Sequence, residues 1–232
     1  MMQNFISTSI GKKVAMAISA IFLMVFLLQH FLINITSVFS EDLFNMLSHF
    51  MGTNPLVQFI LQPILIAGVI FHFVMGFYLE IQNRRASKYE NFKERGGPNS
   101  TWMSRNMIWS GLVILSFLVL HFIDFWFPEM NYKYIEFKPE DPNRYYEELV
   151  HKFEDIRRVV FYCISFVLLS LHLLHGFSSS LKSMGANKSY ATSVKNLSVI
   201  YSIGIPLGFC FIAIFHHLTP VSYTHLTLPT KA

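Results

Sequence analysis

Five long apolar runs separated by polar segments dominate the chain, over residues 14–39, 56–81, 107–127, 159–181 and 194–218. Each is long enough to cross about 30 Å of hydrocarbon as an α-helix. The runs are unbroken rather than alternating, which excludes barrel strands. The pattern predicts an all-α membrane protein, a bundle of five transmembrane helices forming a single domain over 1–218. Lys12 and Lys13 precede the first run. That run is too long for a signal-peptide core and no small-residue cleavage site follows, so it reads as a retained span.

The connecting segments differ in character. Residues 82–106 are polar and basic, with a Gly96-Gly97-Pro98 break, and read as a loop suited to a soluble partner or as a solvated loop. Residues 128–158 are acidic, with a short amphipathic helix predicted around 144–153. His49 and His151 fall in connecting segments, and no internal repeat is read. The stretch 219–232 is threonine-rich and without period, either a non-native extension or a disordered tail, and is set aside.

Composition sharpens the picture. Charged residues make up 14% of the 232 and hydrophobic residues 53%, whereas soluble domains carry about 25% charged. Disorder is excluded by the apolar content. Cys163 and Cys210 are too few for a disulfide scaffold or for an iron–sulfur cluster, which needs about four ligands. Neither glycine fingerprint of nucleotide-binding folds is present. The net charge of +4 borders the spans rather than forming a nucleic-acid patch. With the N-terminus inside, 11 Lys and Arg residues lie on the inner side and 6 on the outer. This predicts a cytoplasmic N-terminus and an external C-terminus.

The chemistry lies in histidines at membrane depth, where an ionisable side chain is costly and marks function. His30 lies 16 residues past Val14, roughly 24 Å from the inner boundary. His121 lies 14 residues past Met107, roughly 21 Å from it. His72 lies 10 residues before Gln82 and His172 lies 10 before Lys182, both about 15 Å from the inner boundary. Two pairs at two levels, one histidine per helix, point to two bis-histidine haems that carry electrons rather than activate oxygen. No Cys-x-x-Cys-His is present, so both would be non-covalent, b-type haems. His72 and His172 share a His-x-x-x-Gly pattern with Gly76 and Gly176, where a missing side chain would admit a flat macrocycle. His172 is favoured on that spacing. His175, three residues on, remains the alternative ligand or a propionate or quinone contact. A proton relay is the rival reading, with only Glu80 and Asp124 as acidic partners.

These stretches together resemble the five-helix, di-haem cytochrome b558 family of succinate dehydrogenase/fumarate reductase membrane anchors. The resemblance covers about residues 5–215. It rests on Ser9-Ile-Gly-Lys-Lys13 leading to Gln29-His-Phe31, and on Phe71-His72 with Gly76 and Arg84-Arg85. It continues with Ser104-Arg-Asn-Met-Ile-Trp-Ser-Gly111 leading to Leu120-His121, then His172-Leu-Leu-His-Gly176, Gly185 and Pro206-Leu-Gly208. It implies a subunit of the bacterial cytoplasmic membrane that anchors a flavoprotein and an iron–sulfur subunit to the inner face. FAD and iron–sulfur clusters belong to those partners. His30 with His121 would hold the outer haem iron, and His72 with His172 the inner. Electrons would pass between the iron–sulfur subunit and a quinone, commonly menaquinone, and this chain would do no chemistry on succinate itself.

Quinone chemistry also needs protons, for which Glu80, Asp124, His175, His216 and His217 are available. Lys13, Arg84, Arg105 and Arg157 are available to haem propionates. Pro206 is expected to kink the fifth span, which gives no ligand. Two other classes stay open: a cytochrome b of another quinone-linked dehydrogenase or hydrogenase, and a haem-free transporter or scaffold.

Overall fold

The computed structural model describes residues 8–90, 107–185 and 191–219, and every element assigned among them is helical. Helix α1 (Ser9–Ile35) starts on an N-cap from Thr8, whose hydroxyl accepts from the Gly11 N–H at 3.0 Å, and ends in a 3-10 turn. Helix α2 (Glu41–Thr53) follows. A π turn (Val57–Leu61) leads into α3 (Gln62–Glu90). Helix α4 (Met107–His121) continues through a π turn (Phe122–Trp126), the short α5 (Phe127–Met130) and a second π turn (Asn131–Ile135). Helices α6 (Arg144–Phe153), α7 (Ile156–Ser183) and α8 (Ala191–Leu218) follow.

Among the described residues five helical stretches are long and apolar enough to cross a membrane: Ser9–Val38, Val57–Arg85, Met107–Ile135, Ile156–Ser183 and Thr192–Leu218. The chain is a multi-pass helical membrane protein. Its helices alternate in direction. The start of α1 marks the near end of the bundle, where Lys12 Nζ lies 2.9 Å from the Tyr78 hydroxyl of α3. The short helices α2 and α6 pack on one another at the far end.

Three boundaries differ from the apolar pattern. The stretch after the first run is helix α2, not a loop, so His49 is helical. Its start is a standard cap, with Ser40 Oγ accepting from Leu43 N–H at 3.2 Å and Glu41 and Asp42 in the first turn. Helix α3 continues past the apolar run to Glu90. Its polar end is made of good helix formers, and Arg84 pairs with Glu80 at 2.6 Å one turn back. The third span runs eight residues beyond Phe127, through Pro128, to Ile135. A proline ring clashes with the carbonyl four residues earlier, and the π turn at Phe122–Trp126 widens the ladder there. Pro63 likewise follows the π turn Val57–Leu61. His151 sits in α6. The Gly96-Gly97-Pro98 break, Arg105 and the tail beyond Thr219 lie outside the described residues.

The core sits in the far half, where Phe44, Leu149 and Phe153 of the cap meet Val159, Tyr162, Phe166, Ile205, Phe209 and Ile212 of α7 and α8. Small residues let these helices approach: Ala213 is fully buried, and a Cβ on Gly208 would collide with the Phe31 ring of α1. Helix α8 runs unbroken through Pro206. Asn45 Oδ1 accepts the Tyr146 N–H at 2.8 Å and ties α2 to α6. The outward faces stay apolar. Ile18, Val25 and Leu32, seven residues apart, form an exposed stripe on α1, and Ile200, Leu207, Phe211 and Ile214 form one on α8. Such stripes suit contact with lipid tails.

Candidate functional site

Four of the five span histidines meet in two pairs. His30 of α1 faces His121 of α4, with ring centres 5.8 Å apart and planes at 87°. His72 of α3 faces His172 of α7, with centres 6.4 Å apart and planes at 67°. All four are half-buried. His172, not His175, lies opposite His72.

The two pairs sit at different depths for a geometric reason. Ser19 Oγ lies 3.1 Å from His72 Nδ1, which puts Ser19 at the level of the near pair. His30 follows Ser19 by eleven residues on α1. Eleven residues are close to three full turns, so both side chains share one face and stand about 16 Å apart along the axis. Ser110 and His121 repeat this on α4, with Ser110 Oγ 3.2 Å from His172 Nδ1.

That repetition is a correction: the bundle contains an internal repeat that the sequence reading missed. Met16, Ser19, Phe26, Leu27, His30 and Phe31 of α1 recur as Met107, Ser110, Phe117, Leu118, His121 and Phe122. His72, Gly76 and Phe77 of α3 recur as His172, Gly176 and Phe177 of α7. The contacts recur too. Phe26 stacks on His30 as Phe117 stacks on His121, at 5.6 and 5.8 Å. Among the described residues a Cβ on Gly76 would meet the Met16 methyl at 3.5 Å, and one on Gly176 the Met107 methyl at 3.6 Å. Each histidine pair therefore joins one residue from each copy of a helix-pair unit, α1 with α3 and α4 with α7.

The donor set fits a haem. The ring centres of the two pairs, 5.8 and 6.4 Å apart, leave room for a metal bound to one nitrogen of each ring at about 2 Å. Among the described residues no group of three or more His, Cys, Asp or Glu gathers to hold a bare metal ion. Two histidines suit a group that brings its own equatorial ligands. His121 Nδ1 is buried without a partner among the described residues. Among the described residues the glycines at 76 and 176 are bordered by flexible methionine ends, which can yield to a flat ring.

The other polar residues take different places. Asp124 is buried at the far end. Its Oδ2 accepts the Tyr162 hydroxyl at 2.9 Å, and Arg158 reaches its Oδ1 at 3.0 Å. Tyr162 also packs against the His121 ring at 6.4 Å. The sequence reading named Asp124 but missed Arg158 and Tyr162, which lie more than thirty residues away. His216 is fully buried, with Nε2 2.9 Å from Ser37 Oγ. His217 Nδ1 donates to the Phe153 carbonyl at 2.9 Å. These two link helix ends and meet neither pair. Glu80 is bound to Arg84, and the exposed Arg157 to Asp155 at 3.2 Å. Lys13 is exposed. A cleft of about 320 Å³ at the far end, lined by His49, Tyr132, Lys133, Arg144 and Tyr145, contains none of the paired histidines.

Fold and site define a multi-pass helical membrane protein with two stacked histidine pairs inside its bundle. No family model, curated protein or solved structure matches the chain.

Proposed function

We propose that this chain is a di-haem cytochrome b, the membrane anchor of a succinate:quinone oxidoreductase. One observation carries the haem assignment: four histidines from four helices face each other in two pairs at ring separations of 5.8 and 6.4 Å. A bound haem supplies reversible one-electron chemistry. The chain's own residues do the rest. His30 and His121 would hold one iron, and His72 and His172 the other. Phe26 and Phe209 pack against His30, and Phe117 packs against His121. The pairs stand in line, about 16 Å apart along an axis that crosses about 30 Å of hydrocarbon.

The remainder of the proposal rests on the sequence resemblance. The near end, rich in Lys and Arg, faces the cytoplasm of a bacterium and receives the iron–sulfur and flavoprotein partners, which carry the clusters and FAD. Electrons pass between those partners and a quinone, probed as menaquinone. The alternatives are an anchor for another quinone-linked dehydrogenase and a haem-free transporter or scaffold.

The test is the pyridine haemochrome of the purified chain, co-expressed with its soluble neighbours. Two b haems per polypeptide are expected, reducible by succinate in the complex. No haem in a folded, inserted sample overturns the assignment. Two haems without reduction by succinate keep the cytochrome and reject the succinate partner.

A further inference from the structure

We infer that Ser19 and Ser110 are equivalent positioning residues of the near histidine pair, each fixing the tautomer of the histidine in its own helix-pair unit. The inference rests on the haem reading above and adds residues outside its ligand set.

A serine hydroxyl has one proton to give and two lone pairs. Ser19 gives its proton to the Met16 carbonyl, at 2.8 Å on its own helix. At His72 Nδ1, 3.1 Å away, Ser19 therefore accepts. This places the imidazole proton on Nδ1 and leaves the Nε2 lone pair free. Ser110 gives its proton to the Met107 carbonyl at 2.9 Å and accepts from His172 Nδ1 at 3.2 Å. Both histidines then offer Nε2 as the metal-binding nitrogen. A hydrogen bond at the remote nitrogen fixes ring orientation and raises ligand basicity. The hydroxyl is a better acceptor because it is itself donating.

The repeat strengthens the case. The same Met-x-x-Ser step stands eleven residues before a histidine on both α1 and α4. The far pair lacks the arrangement. Among the described residues His30 Nδ1 has the Asn34 amide at 3.4 Å and no serine, and His121 Nδ1 has no partner. Among the described residues serine clamps thus serve one of the two sites. Removing a clamp weakens the histidine as an electron donor, favours reduced iron and raises the potential of the near centre alone.

The experiment compares wild type, Ser19→Ala, Ser110→Ala, the double variant and Ser110→Thr, with exposed Ser116→Ala as control. Each full-length chain is purified with its neighbours and read by haem stoichiometry, optical redox titration and low-spin EPR. The expected result is an upward potential shift and altered EPR signal in one of two components. The double variant should shift more than either single variant, and haem retention at that site should weaken about tenfold. Threonine should restore the wild-type values, and Ser116→Ala should leave them in place. Unchanged potentials and spectra in the alanine variants, with both haems present, overturn the inference and leave the di-haem reading standing. So does a threonine variant indistinguishable from alanine. A wild type without haem removes the underlying reading instead.

Discussion

Tyr162 of α7 donates its hydroxyl to Asp124, one turn past His121, while Arg158 holds the other carboxylate oxygen. Asp124 is buried at membrane depth, so its charge has no water to fall back on. Asp124→Ala strands the Arg158 guanidinium. Breaking a buried pair costs about 3 kcal/mol here, the low end of the usual range because Arg158 is partly exposed. A thermal melt in detergent checks this. The Asp124→Ala, Arg158→Ala double variant should lose less than the sum of the singles. Tyr162→Phe should cost about 1.5–3 kcal/mol, as expected for a hydrogen bond to a charged group.

Single-histidine variants should separate the two centres. His30→Ala or His121→Ala should remove one haem per polypeptide and leave the other component of the reduced spectrum intact. His72→Ala or His172→Ala should remove the other component. His175→Ala should keep both, because His172 is the residue facing His72. Loss of a haem in His175→Ala with retention in His172→Ala would reverse that assignment.

Gly208 tests packing between α1 and α8. Gly208→Ala drives a methyl into the Phe31 ring, which itself packs on Phe209 at 5.3 Å. Overpacking of this kind costs about 1–3 kcal/mol. Gly204→Ala, four residues earlier, meets nothing within 4 Å among the described residues and should not lower the melt. Equal behaviour of the two variants would refute the close approach.

Alkaline stability should report on the far-end cap. Burial first, and the Glu129 carboxylate second, push the Tyr145 phenol up from 10.0 to about 12. The folded state thus holds this proton more tightly than the unfolded chain. The resulting stability is complete below pH 10 and is lost as pH rises towards about 12. Circular dichroism across that window should show wild type losing more stability than Tyr145→Phe, which has no phenol proton to lose.

The spans were legible because each is a continuous apolar run of membrane length, a property of local sequence alone. The histidines were legible for the same reason: a polar residue stands out in such a run, and a fixed rise per residue gives its depth. Helix α2 was readable in principle from its Ser40 cap and the acidic turn after it, but its polar composition hid it among loop residues. The serine clamps were harder. Ser19 and Ser110 look like ordinary small residues of a span, and only their spacing to His30 and His121 on two helices signalled a role. Arg158 and Tyr162 gave no local signal, because their meaning comes from Asp124 on another helix.

By itself, then, the sequence determined which stretches form helices long and apolar enough to cross a membrane and where along each of them a histidine stands, since periodicity and hydrophobicity act along one chain. Which histidine faces which was decided by tertiary structure, since helix rotation and neighbour choice are set by packing between surfaces distant in sequence. His172 rather than His175 meets His72, and Ser19 rather than an acidic residue meets its Nδ1 nitrogen, because α1 packs on α3 and α4 on α7.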